Sequence, residues 1–255
     1  MEGDKKQKHV VLIHGAGHGA WCWYKVATLL RSRRFHVTAL DMAASGVNTQ
    51  PLSELSTYSD YSRPLMELLE ALPPEESVVL VGHSMGGICI SLAMEKFPQK
   101  IDVAVFVAAS MPGPSLSIEE IFDQYKKQGS FGTDTKLFYS NGEDKPPTSR
   151  TVGPECLATQ FYQLSPLEDL TLATLLTRPV GFFINNVEFS EENYGSVRRV
   201  YMIAEEDTKR ECQDWMVQNN PPDEVKTIYG SDHMFMFSKP REFCVYLQDI
   251  VDKYC

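Results

Sequence analysis

The chain predicts a single α/β domain, residues 1–255, with a mostly parallel sheet flanked by helices. Three observations support this. Short apolar runs with strand character alternate with helical stretches, the order that builds a parallel sheet. At 255 residues the chain is long enough to bury one large core. Hydrophobic content of 43% with 23% charged residues is ordinary for a globular protein.

The elements follow in order. His9 to His14 reads as a short buried strand, followed by a glycine-rich turn and a helix around Trp21 to Arg31. Phe35 to Asp41 is the next strand. A helix is expected from about Tyr58, because Tyr61, Leu65, Leu68, Leu69 and Leu72 recur at helical spacing, and Pro73-Pro74 ends it. Ser77 to Val81 is a strand running into a turn, then a helix through Met94, then a strand from Asp102 to Ala108. After Met111-Pro112-Gly113-Pro114 the alternation breaks, and it resumes at Arg199 to Ala204. A helix around Glu211 to Gln218, a strand from Glu224 to Tyr229 and a helix from Pro240 complete the chain. The interruption at about 113–195 holds helical stretches and many aromatics, and reads as a mainly helical cap inserted into the core.

Gly82-His83-Ser84-Met85-Gly86 sits between an apolar strand and a helix that starts with small residues. It has the form G-x-S-x-G, the nucleophile elbow, in which a sharp turn exposes a serine hydroxyl. Such a serine needs a base and an acid, each at the end of a later strand, in the order Ser, Asp or Glu, His. His233, in Gly230-Ser231-Asp232-His233, follows the last strand. Asp207, in Ala204-Glu205-Glu206-Asp207, follows the one before it. His233 is expected to take the Ser84 proton, and Asp207 to hold the imidazole in the right tautomer. Glu205, Glu206 and Asp232 are neighbouring carboxylates. Asp232 adjoins His233, and adjacent side chains in an extended segment point apart, which favours Asp207.

The turn His14-Gly15-Ala16-Gly17-His18-Gly19 follows the first strand, where this architecture places a second oxyanion donor. The backbone N–H groups of Ala16 and Met85 are the expected pair. A phosphate loop is the competing reading of such a turn, and the chain has neither G-x-G-x-x-G nor G-K-[ST].

Composition excludes several function classes. A formal net charge of −10 argues against nucleic acid and anionic membranes as partners. The first eight residues are polar and charged, a pattern that predicts neither a signal peptide nor a membrane span. The six cysteines are scattered, without C-x-x-C or a His-Cys cluster. Free thiols, no metal site, no cofactor and a cytoplasmic location are therefore the expectations. No motif sets the oligomeric state, and a homodimer stays open.

His14 to Lys25 (HGAGHGAWCWYK) resembles the signature of the plant methylesterase and hydroxynitrile lyase branch of the α/β-hydrolases. Asp41 to Gly46, Gly82 to Gly87, Tyr194 to Val197, Gly230 to Met234 and Ser238-Lys239-Pro240 are similar too, so the likeness runs along nearly the whole chain. It implies an α/β-hydrolase fold and a serine carboxylesterase. The implied substrates are methyl esters of small aromatic or lipophilic plant acids, hormones or specialised metabolites. By position, its triad falls on Ser84, Asp207 and His233.

The same branch implies alternatives. Its hydroxynitrile lyases carry Thr or Asn after the first histidine of the turn, and some carry Lys after the base. This chain has Gly15 and Met234 there. A Thr or Asn at position 15 is expected, if anything, to raise lyase activity. Its methylketone synthases resemble the chain around Leu164 to Leu170 and Asn220 to Val225 but have lost nucleophile and acid, whereas Ser84 and Asp207 are present. An esterase that is also a decarboxylase, and a ligand receptor on a hydrolase scaffold, remain as further readings. Phe235 stands where the family carries a smaller residue, and is expected to narrow or reshape the pocket.

Between Met111 and Asn185 lie Phe122, Tyr125, Phe131, Phe138, Tyr139, Phe161, Tyr162, Phe182 and Phe183. Together they predict a largely apolar pocket over Ser84 for a small-molecule ester. Phe122, Tyr125, Phe131 and Phe161 are the substrate-binding candidates.

Overall fold

A computed structural model describes residues 7–129 and 134–255. In chain order its strands are β1 (His9–Ile13), β2 (His36–Leu40), β3 (Val78–His83), β4 (Ile101–Val107), β5 (Lys136–Phe138), β6 (Ser149–Thr151), β7 (Val180–Gly181), β8 (Arg199–Ala204) and β9 (Glu224–Ile228). The helices are α1 (Tyr24–Ser32), α2 (Tyr58–Tyr61), α3 (Arg63–Ala71), α4 (Gly86–Lys96), α5 (Ile118–Lys127), α6 (Pro154–Cys156), α7 (Leu167–Leu176), α8 (Arg210–Asn219), α9 (Phe235–Ser238) and α10 (Pro240–Tyr254).

Six strands form one sheet in the order β2-β1-β3-β4-β8-β9, with every pair parallel. The strands are apolar on both faces because both are covered. Val10 and Leu12 of β1 pack with Val26 and Leu30 of α1 and Leu247 and Ile250 of α10. Their alternates Val11 and Ile13 face the opposite layer, with Leu65 and Leu69 of α3 and Ile90 and Met94 of α4. Burying each such side chain fully contributes about 1.5–3 kcal/mol. The carboxyl ends of β1, β3, β8 and β9 lie along one edge of this sheet, and the turns after them carry the candidate site.

The helix expected from Tyr58 is two helices. Thr57 caps the first, accepting from Asp60 N–H at 3.1 Å while Asp60 accepts from Thr57 N–H at 2.9 Å. It stops at Ser62, and Pro64 lies in the first turn of α3, where a missing N–H costs nothing. Between β4 and β8 the insertion holds α5, α6, α7 and a π-helical turn at Leu157–Phe161. It also holds a small antiparallel sheet β5-β6-β7, which the sequence reading of a mainly helical cap did not include. Those strands are two or three residues long, too short to carry a period-2 signal.

Candidate functional site

Ser84 directly follows β3 at φ 52°, a left-handed conformation that costs a non-glycine residue energy and that marks the elbow. The turn closes through Gly87 N–H to Ser84 O at 3.1 Å and Ser110 N–H to the same carbonyl at 3.0 Å. It passes so close to β1 that a Cβ on Gly86 would lie 2.7 Å from the His14 carbonyl oxygen. Only glycine fits there.

Asp207 and His233 come together from the ends of β8 and β9. Asp207 Oδ2 lies 2.7 Å from His233 Nδ1, and both residues are buried. An ionised carboxylate only accepts, so Nδ1 carries the proton and Nε2 is the unprotonated nitrogen. The same Oδ2 accepts from Gln213 Nε2 at 2.8 Å, and Oδ1 accepts from Lys209 N–H at 2.9 Å. Asp232 bonds elsewhere, to Leu164 N–H, Ser165 Oγ and Ser238 Oγ.

The turn after β1 is held by its histidines. His14 Nδ1–H donates to Gly15 O at 2.8 Å, and its Nε2 accepts from Met42 N–H at 3.1 Å. His18 Nδ1–H donates to Ala16 O at 2.9 Å. Burial lowers both imidazole pKa values, that of His18 to about 4, so these rings stay neutral in neutral solution. The backbone N–H groups of Ala16 and Met85 donate to no protein acceptor among the described residues. Both residues line the cavity with Ser84.

That cavity has a volume of about 690 Å³, in the range of small-molecule sites. Ser84, Asp207 and His233 line it together with Phe122, Tyr125 and Phe161. Phe161 stands edge-on to the His233 ring at 5.1 Å. Phe131 lies outside the described residues. Phe182 and Phe183 also line the cavity, whereas Phe138 and Tyr139 are exposed on the insertion and Tyr162 is buried against Phe237. The wall is not wholly apolar. Arg150 lines it with its guanidinium 5.7 Å from the Phe182 ring centre, and burial lowers its pKa to about 10. Among the described residues no cluster of three or more His, Cys, Asp or Glu could hold a metal ion.

Phe235 departs from its expected role. Its ring is fully buried between Trp23, at 5.8 Å, and Phe243, at 4.6 Å, and lies outside the cavity lining. The next residue inward, Met234, does line it. The ring at 235 therefore fills the core beneath the base, edge-on to His83 at 5.7 Å, and does not itself line the pocket.

Two residues of the site escaped the sequence reading. Gln213, on α8, bridges Asp207 Oδ2 and the Ala204 N–H, which its Oε1 accepts at 3.0 Å. The only local signal is a buried glutamine facing the acid loop one turn into a helix. His83 is the variable residue of the elbow, and its Nε2–H donates to the His233 carbonyl at 3.0 Å. Burial holds its pKa well below the usual histidine value.

The alpha/beta hydrolase family profile matches residues 10–245. Methyl jasmonate esterase 1 of Vitis vinifera is 51% identical, covering 98% of this chain and 99% of that protein. Polyneuridine aldehyde esterase of Rauvolfia serpentina is 44% identical, covering 97% of each. Tomato methylketone synthase I, solved with 2-tridecanone, superposes with a TM-score of 0.93 at 45% identity, covering 98% of this chain and 99% of that one. Fold, spacing of the strand-end turns and similarity along the chain agree: it belongs to the alpha/beta hydrolase family.

Proposed function

We propose that this protein is a serine carboxylesterase that hydrolyses methyl esters of small aromatic or lipophilic carboxylic acids. The observation that carries the reading is the 2.7 Å contact of Asp207 Oδ2 with His233 Nδ1, on a cavity that Ser84 also lines. Relatives named as esterases support the reaction class.

In this mechanism Ser84 Oγ attacks the ester carbonyl carbon while His233 Nε2 takes its proton. Asp207 holds the imidazole and stabilises its charged form. The Ala16 and Met85 N–H groups bind the developing oxyanion, and each such donor is worth about 3–4 kcal/mol in serine hydrolases. Collapse expels methanol, protonated by His233, and leaves Ser84 acylated. A water that loses its proton to His233 then releases the acid and restores the serine. Neutral His14 and His18 keep the oxyanion turn in one conformation.

Phe122, Phe161, Phe183 and Ile118 supply apolar wall for a flat or lipophilic acyl group. The Gly15 site disfavours the lyase reading: a Cβ there would lie 2.9 Å from Ser84 Cβ and 3.0 Å from His83 Nδ1. No helix among the described residues is long and apolar enough to cross a membrane. We assign the protein to the cytoplasm on its charge and its scattered thiols.

The test is a panel of methyl esters of aromatic and lipophilic acids, with both the acid and its decarboxylated product quantified. Higher kcat/KM for these than for triglycerides, peptides or phosphorylated esters is expected. Efficient triglyceride or peptide hydrolysis, with no turnover of any such methyl ester, would overturn the reading. Decarboxylated product formed by the enzyme would select the esterase-decarboxylase instead.

A further inference from the structure

One stretch of the insertion, Gln160 to Ser165, reaches three of the four turns that carry the proposed catalytic groups. Its hydrogen bonds to residues outside the insertion fall on those turns, and Tyr162 also stacks on Phe237. The Tyr162 hydroxyl lies 2.7 Å from His18 Nε2, and His18 Nδ1 lies 2.9 Å from Ala16 O. A carbonyl only accepts, so Nδ1 carries the proton, Nε2 is bare and Tyr162 O–H donates to it. Gln163 Nε2 donates to the carbonyl of Glu206, the residue before Asp207, at 2.8 Å. The hydroxyl of Thr208, the residue after Asp207, donates back to Gln160 O at 3.3 Å. Leu164 N–H and Ser165 O–H donate to Asp232 Oδ2 at 3.0 and 2.8 Å, beside His233.

Asp232 is the anchor. It is fully buried, and its other oxygen accepts from Ser238 Oγ at 2.7 Å. All three partners are donors, which suits a group that only accepts. Among the described residues no Lys or Arg forms an ion pair with it. Burying a carboxylate on hydrogen bonds alone is costly unless every bond is made. Its place beside the base therefore ties the geometry of the insertion to the geometry of His233.

We propose that Gln160 to Ser165 is a positioning strut, anchored on Asp232, that holds the oxyanion turn, the acid turn and the base turn in register. This rests on the serine-esterase reading above. The three turns leave different strands, β1, β8 and β9; the acid and base turns bond to each other through Glu206 N–H to Ser231 O at 2.9 Å and Gly230 N–H to Glu205 Oε2 at 2.7 Å, and the strut adds their link to the oxyanion turn. A displacement of about 1 Å among reacting groups costs roughly 10²-fold in rate. Tyr162, Leu164, Ser165 and Asp232 do not line the cavity, so their effect falls on the chemical step and leaves substrate contacts intact.

The experiment measures phosphonylation of Ser84 by a fluorophosphonate, which needs no knowledge of the natural ester. The Ser84 O–P bond forms, the P–F bond breaks, fluoride leaves and the hydroxyl proton passes to His233. The variants are Tyr162→Phe, Ser165→Ala, Asp232→Ala and Asp232→Asn, each with kcat and KM on the best methyl ester and a melting temperature. Asp232→Ala should react roughly 10-fold or more slowly, and Tyr162→Phe and Ser165→Ala several-fold more slowly, with KM held within about 2-fold. Asp232→Asn should recover most of the loss, since its amide oxygen can still accept from Leu164 and Ser165 while its NH₂ turns to Ser238. Wild-type phosphonylation rates in folded Tyr162→Phe and Ser165→Ala protein would overturn the proposal, even if Asp232→Ala fails to fold. So would losses that only track the unfolded fraction. A wild-type protein not labelled at Ser84 would instead overturn the esterase reading.

Discussion

His83 Nε2–H donates to the carbonyl oxygen of His233 across 3.0 Å, so the residue before the proposed nucleophile holds the main chain of the proposed base. Nucleophile and base are thereby tied by a bond between neighbours 150 positions apart. His83 Nδ1 is left buried and without a partner, directly under the oxyanion turn at Gly15. That orphaned nitrogen is the cost of the arrangement, tolerated because burial keeps the ring neutral.

Ser84→Ala and His233→Ala should each lower kcat by roughly 10⁴-fold or more with the fold intact, because the members of the proposed triad act as a unit. Asp207→Asn should be nearly as severe, since the amide favours the wrong His233 tautomer. Steady-state kinetics with circular dichroism check this. A Ser84→Ala enzyme hydrolysing esters at near wild-type rate would sink the mechanism.

Gln213→Leu removes a neutral donor from Asp207 Oδ2 and strands the Ala204 N–H. A hydrogen bond to a charged group is worth about 1.5–3 kcal/mol, so kcat should fall roughly 10- to 100-fold. An unchanged kcat and pH profile would assign Gln213 to packing alone.

Stability should fall as the solution is acidified through the range between pH 6.5 and about 4. His18 titrates at about 4 in the folded protein because burial opposes its charged form, and near 6.5 when unfolded. The unfolded chain therefore binds more protons across that window. The contribution is fully present above pH 6.5 and is lost as pH drops toward the folded value. For His18 it amounts to about 3 kcal/mol at 1.36 kcal/mol per pKa unit. Urea melts at pH 7.5, 5.5 and 4.5 measure it, and His18→Asn should flatten the decline. Identical pH slopes for both proteins would refute the assignment.

Gly15→Thr should lower esterase activity without creating appreciable mandelonitrile cleavage. The expectation that a donor at position 15 raises lyase activity does not survive the geometry: Ser84 Cβ and His83 Nδ1 occupy the required space, and neither is the end of a flexible side chain. The new Cβ must push the serine out of line. Efficient cyanohydrin cleavage by this variant would show that the elbow moves more readily than its packing implies.

The sequence by itself determined the elements that apolar spacing and turn residues mark. Apolar runs bounded by turn residues located the parallel strands to within a residue or two at most ends. The glycine-spaced elbow put forward Ser84, and the turns after β8 and β9 put forward Asp207 and His233, as the proposed triad. These are short-range signals of burial period and turn sterics. The break at Ser62 was missed because the apolar spacing of Tyr61, Leu65 and Leu69 continues across it, while the cap at Thr57 acts through hydrogen bonds that the spacing does not report. Tertiary structure alone decided the pairings: His83 with His233, Gln213 with Asp207, Asp232 with Leu164 and Ser165, and Phe235 with Trp23 and Phe243 rather than with the pocket. His83 with His233 and Asp232 with Leu164 are 150 and 68 positions apart, while Gln213 with Asp207 and Phe235 with Phe243 lie on separate elements, so only the folded path of the backbone brings donor to acceptor or ring to ring.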